Sequence, residues 1–169
     1  MDQSDPGHHR HDRRTARCLV VTVSDTRTID DDRSGRRAAE LLVEGGHEVC
    51  EREIVRDDRR AIAAIVRAGV ANPGIDAIVL TGGTGLAARD VTHEALEEIL
   101  ERRIDGFGEL FRTLSFEEIG AMAMISRAIG GVIGHTVVFA LPGSTKAVEL
   151  GVRRLIAPAL GHVVGLLAP

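Results

Sequence analysis

No tryptophan and no tyrosine occur in these 169 residues, and four phenylalanines make up the aromatic content. Platforms on which nucleic-acid bases stack are therefore scarce. The formal charge of −4 adds no electrostatic reason to expect such a partner. Cysteine is nearly missing too. Cys18 and Cys50 both fall in segments that read as strands. At this spacing they are expected to be inert core residues in a reducing cytosol, not a disulfide or a metal pair. No apolar run reaches the roughly 20 residues of a membrane helix, and none precedes residue 18, so neither a membrane partner nor a secretory signal is visible. The setting expected is cytoplasmic.

What is present suits a globular chain. A hydrophobic content of 44% over this length supports one compact domain with a proper core. Residues 1–15, rich in Asp, His and Arg, read as a disordered tail, and 16–169 as the domain. His8, His9 and His11 could in principle bind a metal, but a disordered tail is expected to give them no packed scaffold.

The domain opens with Arg17-Cys-Leu-Val-Val-Thr-Val23, a strand pattern that runs into the polar cluster Ser24-Asp25-Thr26-Arg27. The acidic run Asp30 to Asp32 reads as a solvated loop that complements the dipole of a helix starting near Ser34. That helix carries Ala38, Leu41 and Leu42 on one face and stops at Gly45-Gly46. A second strand, His47 to Val55, ends in Arg56-Asp57-Asp58, where either aspartate could cap the next helix, with Ile62, Ile65 and Val66 at helical spacing. The third strand, Ile75 to Leu80, turns through Gly82, Gly83 and Gly85 before a helix that Thr92 could cap. Three strand–helix units in succession predict a parallel sheet with helices on both faces, an α/β three-layer sandwich.

The second half is less regular. Arg102 to Arg112, with two glycines and two phenylalanines, reads as a loop with short helical turns. Ser115-Phe-Glu-Glu118 has capping-box form and should open a short helix through Met124. Gly134 to Leu141 reads as a strand, Pro142-Gly143-Ser144 as the turn after it, and Thr145 as the start of a helix. Pro158 to Leu167 is a further, apolar helix in need of a surface to cover.

In parallel sheets ligands sit beyond the carboxyl ends of the strands. Ser24-Asp25-Thr26, Asp57 and the loop Gly82-Gly83-Thr84-Gly85 occupy those ends in three successive units. Free backbone N–H groups in such a glycine loop gather around an anion, so a phosphate cradle is expected there. Two carboxylates beside it, Asp57 and Asp90, would repel an anion unless a divalent cation lay between, and Mg²⁺ takes one or two carboxylates plus phosphate oxygens. Arg27, Arg56 and Arg89 flank this region. Lys146 is the only lysine among 21 basic Lys and Arg residues and stands at a helix start, where a nearby anion would offset its unfavourable place. Gly83-Thr-Gly-Leu-Ala-Ala88 also fits G-x-G-x-x-A, a weak pointer to a dinucleotide, while no Walker A lysine follows the glycines.

Several of these segments carry a resemblance. Ser24-Asp-Thr-Arg27 with Asp31-Asp-Arg-Ser-Gly35, Thr81-Gly-Gly-Thr-Gly-Leu86 with Arg89-Asp-Val-Thr92, Gly106-Phe-Gly-Glu-Leu-Phe-Arg112, Ser126-Arg127 and Leu141-Pro-Gly-Ser-Thr-Lys146 resemble, in this order, the molybdenum cofactor biosynthesis protein B family. That family is similar to the molybdopterin adenylyltransferases, including the corresponding domain of gephyrin, and the likeness runs from about residue 16 to the end.

The resemblance implies a mainly parallel α/β sheet, a trimer or hexamer, and transfer of AMP from Mg-ATP to the terminal phosphate of molybdopterin with release of pyrophosphate. It implies Asp57 and Asp90 as the catalytic pair that places Mg²⁺, although relatives often have Pro-Asp where this chain has Arg56-Asp57, and Asp58 could take the role. Ser24, Thr26, Gly82, Gly83, Thr84, Gly85, Pro142, Gly143 and Ser144 would hold substrate, and Lys146 would neutralise charge. The enzyme that inserts molybdenum would be a partner. Some members have little transferase activity, so a molybdopterin-binding or assembly role stands beside the enzymatic one, and a dinucleotide-dependent enzyme is the third reading.

Overall fold

The computed structural model describes residues 14–169, so His8, His9 and His11 lie outside the described residues. Six strands form one sheet: β1 (Arg17–Val23), β2 (Glu48–Val55), β3 (Ala77–Thr81), β4 (Arg102–Arg103), β5 (Ile129–Ile133) and β6 (Thr136–Leu141). Their order is β2-β1-β3-β6-β5-β4. The first four run parallel, whereas β5 is antiparallel to β6 and β4 to β5. Strand alternation builds a core on each face. Cys18 and Val20 of β1 face one cluster with Leu42 and Phe111, and Leu19 and Val21 face another with Ile62 and Leu96.

Helices α1 (Arg33–Glu44), α4 (Asp105–Ile119), α5 (Thr145–Gly151) and α6 (Ala157–Leu167) cover the first face. Helices α2 (Arg59–Ala71) and α3 (Thr92–Glu97) cover the second. The three-layer α/β sandwich is the arrangement expected. In α1 the buried stripe is Ala38, Leu41 and Leu42, and in α2 it is Ile62 and Val66. A π-helical stretch, Val152–Ile156, joins α5 to α6 just ahead of Pro158, whose missing N–H an unbroken α-helix would not accommodate. The helical run Thr145–Leu167 is 23 residues long and apolar enough by composition to cross a membrane. Its inward residues Val148, Val152, Ile156 and Leu160 are nevertheless packed in the core, which accounts for the apolar content.

Three expectations are corrected by the structure. Arg102 to Arg112 is not a loop: α4 is a 15-residue helix beginning at Asp105. Ser115 opens no helix; it lies inside α4 and its hydroxyl donates to the Phe111 carbonyl at 2.7 Å, four residues back. The segment through Met124 continues past Gly120 only as a 3-10 turn, Gly120–Ile125. Cys50 is exposed on the edge strand β2, at the bulge where the register with β1 shifts, whereas Cys18 is buried. Strands β4 and β5 form an added antiparallel edge that no sequence pattern had suggested.

Candidate functional site

The site is made where β1, β3 and β6 end together. Gly82 and Gly83 both have positive φ, 100° and 66°, which only glycine adopts readily. A Cβ on Gly82 would strike the Val23 carbonyl of β1, so a side chain there would push two parallel strands apart. The Gly82 N–H donates to the Leu141 carbonyl at 2.9 Å, which draws the loop against the end of β6.

A Cβ on Gly83 would collide with Thr92 Oγ1 and lie 2.9 Å from both carboxylate oxygens of Asp57. One on Gly85 would lie 2.5 Å from Asp90 Oδ2. The two carboxylates therefore flank one short run of loop backbone, as the strand-end argument required. Asp58, not Asp57, caps α2, accepting from the Ala61 N–H at 2.9 Å, and this leaves Asp57 to the loop cluster. Asp57 Oδ1 accepts from Val91 N–H at 3.1 Å, and its own N–H donates to Asp25 Oδ1 at 3.1 Å. Burial pushes the Asp57 carboxyl above its ordinary range. Asp90 and Asp25 push the same way, against the Val91 N–H and Arg89.

Two adjoining hollows open from these loops. The larger, about 730 Å³, is lined by Ser24, Thr26 and Arg27 after β1, by Thr81 through Gly85 and by Asp90. Pro142, Gly143 and Ser144 after β6 complete its polar side. Its apolar wall is Ile119, Met122 and Ile125 from the end of α4 and the 3-10 turn. The smaller, about 180 Å³, shares Ser24, Thr26, Gly83 and Asp90 with it and adds Asp25, Asp57 and Arg89.

The expected site residues thus gather, with exceptions. Lys146 lines neither hollow; it is exposed on a separate groove with Glu118, Leu150, Arg153 and Arg154. Arg56 is exposed and also lines neither. Thr92 does not cap α3: it is the first helical residue, and its buried hydroxyl has no partner among the described residues. Ser144 has two places, capping α5 by accepting from Ala147 N–H at 3.2 Å while lining the cleft.

The acidic run also departs from expectation. Asp32 is 1% exposed and not solvated. It caps α1 through Gly35 N–H (2.9 Å) and accepts from Thr22 Oγ1 (2.8 Å), Ser34 Oγ (3.3 Å) and Arg52 Nη2 (3.0 Å). Arg27, on the cleft wall, donates to Ser34 Oγ at 2.8 Å, so this buried network underlies the floor of the site.

Sequence reasoning gave no role to Asp25, to the apolar wall, or to Arg127. The Arg127 guanidinium bonds the Gly85 and Asp90 carbonyls and pairs with Glu94. Its only sequence signal was membership of Ser126-Arg127, and for Asp25 it was position at the end of β1.

A dinucleotide fold fits the geometry poorly. The fingerprint needs the helix to open at the glycines, yet α3 begins at Thr92, beyond Ala88. As to a metal, no three His, Cys, Asp or Glu side chains among the described residues converge into a ready cage. Asp57 and Asp90 instead offer two hard oxygen ligands beside the glycine loop, the kind of set that could hold Mg²⁺ together with phosphate oxygens.

Known proteins fit this description. Residues 19–162 match the family described as "Probable molybdopterin binding domain". Molybdenum cofactor biosynthesis protein B of Bacillus cereus is 50% identical over 157 residues, covering 92% of this chain and 93% of that one. A crystal structure of a Molybdenum cofactor biosynthesis protein B superposes with a TM-score of 0.89 at 50% identity, covering 92% of this chain and 97% of the other. The molybdopterin biosynthesis enzyme MoaB of Thermus thermophilus gives 0.80 at 35% identity, over 90% and 96%.

Proposed function

The chain belongs to the molybdenum cofactor biosynthesis family defined by that molybdopterin-binding domain, and from this premise we propose that it adenylylates molybdopterin. AMP passes from Mg-ATP to the terminal phosphate of molybdopterin, and pyrophosphate leaves. The observation that carries the reading is the meeting of Asp57, Gly83 and Asp90 at one rim between the two hollows.

The larger hollow suits the pterin: Met122, Ile119 and Ile125 offer its ring an apolar wall, and Ser24, Thr26 and Ser144 offer hydroxyls. The backbone N–H groups of Gly83 to Gly85 suit phosphate oxygens, that of Gly82 being held by the Leu141 carbonyl. The smaller hollow, with Asp25, Asp57 and Arg89, suits the triphosphate end. Asp57 and Asp90 would hold Mg²⁺, which supplies charge neutralisation on the phosphates when bound. A terminal phosphate oxygen of the pterin forms a new bond to the α-phosphorus of ATP as the bond from that phosphorus to the bridging oxygen breaks. Pyrophosphate departs with the electron pair. The attacking phosphate is already anionic at neutral pH, so positioning and charge neutralisation carry the catalysis without a strong general base. A trimeric or hexameric assembly, a cytoplasmic setting and hand-over to the molybdenum-inserting enzyme belong to the same reading.

The test is to incubate the purified protein with ATP and molybdopterin, with and without Mg²⁺, and follow pyrophosphate. Release that needs Mg²⁺ and is abolished by Asp90→Asn is the result expected. Tight pterin binding without turnover would replace the transferase with a binding or assembly protein, and a response to NADH alone would replace both.

A further inference from the structure

One guanidinium grips both ends of an exposed loop. We propose that Arg127 is a positioning residue that fixes where Asp90 stands relative to the glycine cradle; the proposal rests on the adenylyltransferase reading above. Leu86 to Arg89 are exposed, and the Asp90 carboxylate folds back on them, accepting from the Ala87 N–H at 3.2 Å. Asp90 therefore goes where the loop goes.

Arg127 Nε donates to the Gly85 carbonyl at 3.0 Å, where Nη2 also bonds, and Nη2 donates to the Asp90 carbonyl at 3.0 Å. Val91 N–H also ties this loop to Asp57, Gly82 N–H ties its start to the Leu141 carbonyl, and Thr92 N–H closes it on the Gly83 carbonyl. The Arg127 carbonyl is itself held by His93 Nδ1 at 2.8 Å.

An ordinary half-buried ion pair is the competing account, because Arg127 Nη1 meets Glu94. A guanidinium serving a carboxylate prefers to meet both its oxygens. Here Glu94 Oε2 is buried without a partner among the described residues, and the guanidinium directs Nε and Nη2 to carbonyls instead. The planar fork is what spans Gly85 and Asp90; a lysine ammonium is a point charge and cannot hold both in fixed geometry. Ser126, next in the chain, lines the cleft, so Arg127 also joins the apolar wall to the acidic rim.

The test compares Arg127→Lys, Arg127→Gln and Glu94→Gln with the unaltered chain. The measurements are melting temperature, hydrogen exchange of a peptide spanning 84–92, and the kinetics of pyrophosphate release. Arg127→Lys and Arg127→Gln should lower kcat about ten- to a hundredfold, as misplacement by an ångström does. They should also raise the Mg²⁺ concentration for half-activity, leave KM for molybdopterin close to that of the unaltered chain, and lose protection in 84–92 alone. Glu94→Gln should change these far less.

Full kcat in Arg127→Lys would overturn the proposal. So would equal losses in Glu94→Gln, protection lost throughout the sheet, or failure of both arginine variants to fold, each of which makes Arg127 a structural ion-pair residue. Absence of pyrophosphate release from the unaltered chain would refute the transferase reading alone. Exchange in 84–92 would then decide the role of Arg127, unchanged protection in Arg127→Lys refuting it.

Discussion

Replacing Asp32 with alanine should cost this fold far more than removing an aspartate from an acidic loop. In the structure that side chain is 1% exposed and serves four donors: the Gly35 N–H, the hydroxyls of Thr22 and Ser34, and the Arg52 guanidinium. Loss of the helix cap is worth about 1 kcal/mol. Removing the carboxylate from a buried partnership that includes a charge is worth about 3–5 kcal/mol, a range that overlaps the cap. A total near 4 kcal/mol is a large part of a domain's usual margin of about 5–15 kcal/mol. For a chain of this size it corresponds to a fall in Tm of about 8–16 °C.

The loss should depend on pH. Burial pushes the Asp32 carboxyl up, but the Gly35 N–H, Thr22 and Arg52 outweigh it and hold the group below its ordinary range. A depressed carboxylate contributes stability that is fully present above the unfolded value, near pH 4, and is lost as pH falls through the lower folded value. Thermal denaturation by circular dichroism at neutral pH and again below pH 4 should therefore show the gap between the native chain and Asp32→Ala narrowing in acid. A neutral-pH difference under about 2 °C, well inside the effect of a single kilocalorie, would refute the reasoning.

Asp57 should behave in the opposite sense. Its carboxyl is held above the ordinary range by burial and by Asp90 and Asp25, so its ionisation opposes folding as pH rises past the unfolded value. Asp57→Asn keeps the acceptor for Val91 and should raise Tm at pH 7 by about 1–3 °C while abolishing pyrophosphate release; a lowered Tm in calorimetry would count against it. The two thiols should separate cleanly under a maleimide or disulfide reagent. Exposed Cys50 should react in the native state, and Cys18, buried with its thiol pushed up to about 12, only on unfolding. Mass spectrometry of the native adduct showing label on Cys18 would contradict the packing.

The half of the fold built from repeating strand–helix units was legible because β1 and β3 are continuous buried runs bounded by turn residues, while β2 alternates along the sheet's edge. Arg17–Val23 emerges with the boundaries the sequence suggested, and the glycine loop and Asp90 meet because strand ends must. The second half was opaque where tertiary contact overrides local preference. Gly108 looked like a helix breaker, yet a Cβ there would lie 2.8 Å from the Ala128 carbonyl: the glycine lets α4 settle on the sheet. In β5, Gly130 gives way to the rings of Phe107 and Phe139, whose centroids are 4.8 Å apart. Glycines that make room for a neighbour read locally as turns. Asp32 was misread for a related reason, since nothing in Asp30-Asp-Asp32 reveals that the third carboxylate turns inward to Thr22 and Arg52. Lys146 drew notice by its rarity, and rarity carries no direction in space.

The sheet's two margins limit how copies of this chain can join. At one, β2 presents Glu48 and Glu51 outward beside a bulge; at the other, β4 is two residues long. A second molecule laid alongside as another strand would meet like charges at the first margin and run out of ladder at the second. Fibrous growth by backbone templating is thus disfavoured from either side. Side-by-side subunits are left with the helical faces, where Phe116, Met124 and Leu166 stand uncovered.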